Sequence, residues 1–245
     1  MPCSFNLFEK SLKAGGLGVI NIVNWNIAAF STHLNSILRK DNTGWVNWVW
    51  ANRIGRASFW SIHTPQICSW TWRKLLSLRT LLLPTIVHRL SNSSVVKFWH
   101  DPWVAKGVVL HSILNYQRQM QSGIPNNAKA MDYIVHGNLH LPCSSNQYIR
   151  TVWNDIQRNS YPLVDVDDVL WNDRPHSVKL VYMHLHNSDD QAYKWSKVIW
   201  TSDSKPGDNM MLWKVLQNAL LTRNKLMEMG FDSGITCVFC ANEPE

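Results

Sequence analysis

The sequence predicts a mainly α fold in which helices are joined by a few short strands. Apolar residues recur at helical spacing in three stretches. These are Ile27, Phe30, Leu34 and Ile37/Leu38; Ile149, Val152, Trp153 and Ile156; and Met210, Trp213, Leu216, Leu220 and Leu221. Strand-like alternation is confined to short runs between them. With 245 residues, 45% of them hydrophobic, the chain can bury a core, and a wholly disordered polypeptide is excluded.

The elements follow in order. Gly15, Gly16 and Gly18 break any helix and mark a turn, and Val19 to Ile22 suits a short extended segment. Asn24 is the expected cap of the first helix. Trp45, Trp48 and Val49 then fall at helical spacing, which assigns the two indoles to the core. Residues 70–83 form an amphipathic helix stopped by Pro84, with Arg73, Lys74 and Arg79 on its outer side. Residues 95–99 alternate as a strand, His100 to Trp103 reads as a tight turn, and residues 108–110 begin a second strand. Residues 115–146, rich in Gln, Asn, Ser and Gly, are the expected linker, with one short helix near 128–135. After the helix at 145–158, residues 169–171 and 177–178 read as strands around a turn. A helix follows to His186, then a polar break at 188–191. Pro206-Gly207 interrupts the next helical stretch. Thr222 caps a last short helix that Gly230 ends.

Charge is unevenly placed. The net charge is +7, but residues 1–110 hold 12 Lys/Arg against 3 Asp/Glu, together with 9 of the 14 tryptophans. Such a half suits a polyanionic partner, RNA or DNA, with Arg53, Arg56, Arg73, Lys74 and Arg79 as the phosphate-facing candidates. Indoles of the segment 45–79 either stack on unpaired bases or fill the core, and both hold on opposite helix faces. No apolar run approaches the roughly 18–20 residues of a membrane span, and the first residues lack a signal-peptide core. Five cysteines without framework spacing point to a reducing compartment. The expectation is an intracellular protein, nuclear or cytoplasmic, with no membrane partner and no evident small-molecule substrate.

Cys237 and Cys240 form a C-x-x-C pair, the spacing at which two thiolates share one tetrahedral zinc. No His or Cys follows them, so the site is expected to be incomplete and zinc to be bound weakly at best. A redox pair is the poorer reading, since no βαβ pattern surrounds it. Asp189-Asp190 lacks the apolar strand and aromatic flank of a polymerase hairpin. Asp165, Asp167 and Asp168 read as a solvated strand edge, and His184 and His186 as surface histidines. The glycines at 15–18 are not a phosphate loop, because no Lys-Ser/Thr follows. No catalytic constellation is found, and the chain is expected not to be an enzyme.

The motifs GGLGVINIVNWNIAAF, SWTWRKLL and VVKFWHDPW resemble the region after the polymerase core in plant non-LTR (LINE-type) retrotransposon reverse transcriptases. Trp25, Asn26, Trp70, Trp72, Phe98, Trp99, Asp101 and Trp103 fill that pattern. Trp171, Ser177-Val178-Lys179, Trp195, Ile199-Trp200, Lys205-Pro206, Leu212-Trp213, Leu221-Thr222, Leu226, Cys237 and Cys240 resemble the family's zinc-binding domain. The resemblance implies a post-polymerase connection region at 1–114, a linker at 115–146 and a small α-rich zinc-binding domain at 147–245. It also implies that the palm with its catalytic aspartates would lie before Met1. The zinc domain's His and last Cys would lie beyond Glu245, so the chain reads as a fragment. Its expected function is nucleic-acid binding through the basic half; the alternative is an inert remnant or protein-interaction module.

Overall fold

The computed structural model describes residues 8–186, 193–200, 205–231 and 240. They fall into two compact units, one of residues 22–186 and one built from the chain's two ends, 1–21 and 187–245. The fold is mainly α with few short strands.

In the larger unit, α1 (Ile22–Arg39) buries Ala28, Ser31, Leu34, Ile37 and Leu38, the stripe that its periodicity marks. It starts earlier than the expected cap. Asn24 lies inside the first turn and donates to the Leu185 carbonyl at 3.4 Å. At the far end Lys40 donates to Ile37 O and Asp41 to Ser36 O, the paired bonds of a Schellman stop. Lys40 holds φ +56° there, a left-handed position usually given to glycine and costing a side-chain residue about 1–2 kcal/mol.

Thr43 caps α2 (Gly44–Val49), which continues into a π turn at Trp50–Ile54. Here the expected core is displaced by one residue. Val46, Val49 and Ile54 are buried, so Trp45 and Trp48 face outward at 41% and 51% exposure. One residue is about 100° around a helix, enough to exchange the two stripes.

Ser69 caps α3 (Trp70–Ser77), which buries Trp72, Leu75 and Leu76. The expected single helix over 70–83 is broken at Leu78, and a further turn at Arg79–Leu82 runs on into a 3-10 turn at Leu83–Thr85 that takes in Pro84. β1 (Ile86–Arg89) follows. Residues 95–99 do not form the expected strand. Only Lys97 makes a bridge, to Lys129, because Asp101 turns the chain back on itself. Residues 108–110 lead into a helical turn at Leu110–Ile113 rather than a strand.

The expected linker is packed. Asn115 caps α4 (Tyr116–Gln121). A left-handed pair, His136 and Gly137, joins β2 (Ile134–Val135) to β3 (Asn138–Leu139). Ile124, Ala128, Ala130, Ile134 and Leu139 enter the same core as Phe98, Trp99 and Trp103. Local caps and turns absorb the polar side chains, so the composition suggests a looseness that the packing does not have.

α5 (Gln147–Gln157) buries Ile149, Trp153 and Ile156 against those aromatics. β4 (Asp168–Trp171) pairs antiparallel with β1, setting His88 opposite Val169, and with β5 (Arg174–Pro175). The β4–β5 turn is Asn172-Asp173, both at positive φ, as a two-residue hairpin requires. Ser177 caps α6 (Val178–Leu185) instead of lying in a strand. A second core joins α1, α3, β1, β4 and α6 through Leu34, Ile37, Leu75, Ile86, Trp171 and Val181.

In the smaller unit the glycine segment is a seat for two tryptophans. Trp213 donates its indole N–H to Gly15 O at 2.8 Å, and a Cβ on Gly15 would fall 2.7 Å from the Trp195 ring. Pro206 opens α7 (Pro206–Leu216) rather than interrupting it, a position where its missing N–H costs nothing. Trp213 is buried, while Met211, Leu212, Val215 and Leu216 are exposed. α8 (Arg223–Glu228) follows Thr222, and Gly230 closes it at φ +88°. The polar break at 188–191 lies outside the described residues.

Candidate nucleic-acid interface

The larger unit contains a cavity of about 290 Å³. Its rim and walls carry Arg39, Lys40, Arg56, Lys97 and Lys129, against the carboxylates of Asp101 and Asp167. Both carboxylates are already engaged. Asp101 accepts the Lys97 N–H through Oδ2 at 2.7 Å and the Ser58 hydroxyl through Oδ1, and Asp167 accepts the Ser91 N–H at 2.7 Å. Those donors are neutral and leave both carboxylates charged, so the balance is cationic by count, five Lys/Arg side chains against two Asp.

Lys40 lines the cavity from its left-handed position at the end of α1. Its ammonium lies 4.2 Å from the centre of the Trp50 ring, a cation–π contact, and burial against that surface lowers its pKa. Arg39 turns away to Asp168 at 3.6 Å and Asp41 at 3.8 Å. His88 also lines the cavity and is 7% exposed. Its Nε2 is buried without a hydrogen-bond partner among the described residues. Burial pushes its pKa down. Asp101 and Asp167 pull it up more weakly, and Lys40 adds to the lowering.

A second hollow, of about 320 Å³, shares Arg56, Lys97 and Asn127 with the first. Its wall includes His100, whose Nε2 meets Asn126 Oδ1 at 3.2 Å and whose pKa burial lowers.

Exposed aromatics add a second kind of surface to this unit. The Arg53 guanidinium lies 5.6 Å above the Trp48 ring. Trp70, 66% exposed, meets Phe30 edge-on at 5.6 Å. Phe30 contacts His33 at 6.1 Å, and His33 contacts Trp45 at 5.4 Å. Exposed indoles and guanidiniums are the groups that stack on bases and neutralise phosphates.

The five basic residues singled out from sequence separate in space. Arg53 sits on Trp48 and Arg56 lines the cavity. Arg73 is exposed and donates to Gln66 O at 3.1 Å, and Lys74 is half-buried. Arg79 serves as a structural clamp. Its guanidinium donates to the carbonyls of Leu76, Phe59, Trp60 and Ile62, at 2.6–3.3 Å, and holds the loop that precedes α3. Lys40, His88, Lys97 and Lys129 were not read from sequence. The legible signal was Lys40 directly after the α1 stripe; the others converge only through the fold.

The aromatic residues of the 98–103 turn are anchors. Trp99 donates to Pro125 O at 3.1 Å, Trp103 to Phe98 O at 2.9 Å, and Phe98 packs against Trp99, Trp103 and Trp153. The three aspartates serve separate ends: Asp165 is exposed, Asp167 holds Ser91, and Asp168 faces Arg39. His184 is exposed, and His186 stacks on Tyr182 at 5.3 Å.

Of the C-x-x-C pair, Cys240 is exposed and Cys237 lies outside the described residues, as do Asp189 and Asp190. Among the described residues no group of three or more His, Cys, Asp or Glu is placed to hold a metal, and no helix is long and apolar enough to cross a membrane. Residues 176–245 match the family model described as zinc-binding in reverse transcriptase. The match begins at His176, just before the cap of α6. No curated protein and no solved structure matches the chain.

Proposed function

We propose that this chain is a nucleic-acid-binding portion of a retrotransposon reverse transcriptase of the plant non-LTR (LINE) type, and that its residues bind a strand rather than polymerise one. The zinc-binding match over residues 176–245 supports the reverse-transcriptase relation, and the order of the motifs from Gly15 to Trp103 supports the finer class. The observation that carries the binding reading is the outward placement of Trp45, Trp48 and Trp70, with Arg53 over Trp48. Single strands are held by such pairs of aromatic faces and cations. Cys237 and Cys240 would supply two of the four ligands of a structural zinc.

The test is fluorescence anisotropy with a labelled single-stranded RNA and the matching DNA across a salt series. Affinity should fall as salt rises, with log K against log[salt] sloping by about −0.7 per neutralised phosphate. Trp48→Ala and Trp70→Ala should each weaken binding by about 1–3 kcal/mol. Absence of binding at low salt removes this reading. It would favour a protein-interaction module, for which the exposed Met211, Leu212, Val215 and Leu216 of α7 are the supporting observation.

A further inference from the structure

We propose that the cavity lined by Lys40 and His88 takes one nucleotide unit by its terminal phosphate. The class of ligand rests on the nucleic-acid reading above, but the site is distinct from the exposed tryptophans. Three observations converge. First, the cavity of about 290 Å³ lies at the lower limit of small-molecule sites, roughly 300–1,000 Å³, which admits one nucleotide and excludes a duplex. Leu38, Trp50, Phe59 and Val96 supply an apolar wall for a base or sugar, and Lys40, Arg56, Lys97 and Lys129 supply cations.

Second, the neighbouring acids cannot answer those cations fully. Asp101 and Asp167 accept from neutral donors, the N–H groups of Lys97 and Ser91 and the Ser58 hydroxyl, and their two charges face four cations once Arg39 is drawn off to Asp168. Lys40 makes no ion pair within 4.0 Å among the described residues. A terminal phosphate brings about −1.5 to −2 of charge and three acceptor oxygens, against one negative charge for a diester, so the cation cluster selects an end over the middle of a strand.

Third, His88 lines both this cavity and a neighbouring hollow, and its buried Nε2 has no hydrogen-bond partner among the described residues. As a neutral imidazole it can donate one hydrogen bond to an acceptor that enters. Lys40 meanwhile lines the cavity from a backbone position that glycine would fill without strain.

The test uses the full chain and a short single-stranded RNA labelled at its 3′ end, carrying either a 5′-phosphate or a 5′-hydroxyl. The phosphorylated strand should bind about tenfold more tightly, the scale of one charge-assisted contact set. Lys40→Gly should abolish that preference while leaving the fold at least as resistant to urea, because glycine suits the backbone there. Lys129→Ala should reduce the preference without removing it. Equal binding of the two strands overturns the pocket and leaves the stacking surface standing.

If neither strand binds, calorimetry with a nucleoside monophosphate decides the pocket alone. Heat that Lys40→Gly removes upholds it, and no heat overturns it. Displacement of the phosphorylated strand by nucleoside monophosphate, but not by nucleoside, would identify a free nucleotide as an equal ligand. Displacement by both would overturn the phosphate reading.

Discussion

Asp101 accepts the backbone N–H of Lys97 at 2.7 Å, and its other oxygen takes the Ser58 hydroxyl. One carboxylate thus fixes the turn that carries Phe98, Trp99 and Trp103 and ties it to the loop at Ser58. Turn geometry, not strand pairing, delivers those aromatics to the core.

Replacing Asp101 with Ala should therefore destabilise the protein by about 1–3 kcal/mol, the cost of stranding its donors. Asp101→Asn should recover part of the loss, since the amide oxygen can still accept one of the two bonds. Urea denaturation followed by tryptophan fluorescence measures both. An unchanged midpoint in the alanine variant would mean that the turn stands without its carboxylate.

Arg79 makes a contrasting case. Its four carbonyl partners predict that Arg79→Ala lowers stability by about 1.5–3 kcal/mol, the range for charged hydrogen bonds. Arg53→Ala should leave stability within about 0.5 kcal/mol, as for an exposed surface residue. Nucleic-acid affinity should respond in the opposite order, weakening for Arg53→Ala and holding for Arg79→Ala at temperatures where that variant stays folded. The reverse pattern would restore Arg79 to the interface.

Burial lowers the pKa of His88, His100 and His176 below the ordinary value of 6.5. Below pH 6.5 the unfolded chain then binds protons that the folded chain refuses. Stability is present above that pH and falls as pH drops toward the folded values, by at most about 1.4 kcal/mol per pH unit for each histidine. Denaturation midpoints between pH 7.5 and 6 should decline, and His88→Gln should flatten the decline. Asp101, Asp167 and Lys40 are the charged groups that act on His88. A midpoint that rises on acidification contradicts the assignment.

The amphipathic helices α1 and α5 were legible because Leu34 and Ile37, or Ile149 and Trp153, leave only one face to bury. α2 was misread for the same physical reason. Two stripes compete in six residues, and Val46 with Val49 fits the seam better than two indoles. The alternation of residues 95–99 is real, yet Asp101 overrides it by capturing Lys97. Of the candidate site, Arg53 and Arg56 were legible as charges near tryptophans. The cavity was not, because Lys40, His88, Lys97 and Lys129 meet through the β1–β4 ladder and the Lys97–Lys129 bridge, pairings that no local pattern announces.

The indole of Trp213 reaches back across 198 residues to the carbonyl of Gly15. A ribosome adding about 5–20 residues per second needs roughly 10–40 s to make that span. During this interval Gly15 has no tryptophan to receive, whereas every residue of the 22–186 unit has its partners closer at hand. The order of assembly is thus written into the connectivity. The unit made of the two ends closes last, and its glycine turn, already bonded to the carbonyls of Lys10, Ser11 and Leu12, waits for its indole while the intervening residues fold.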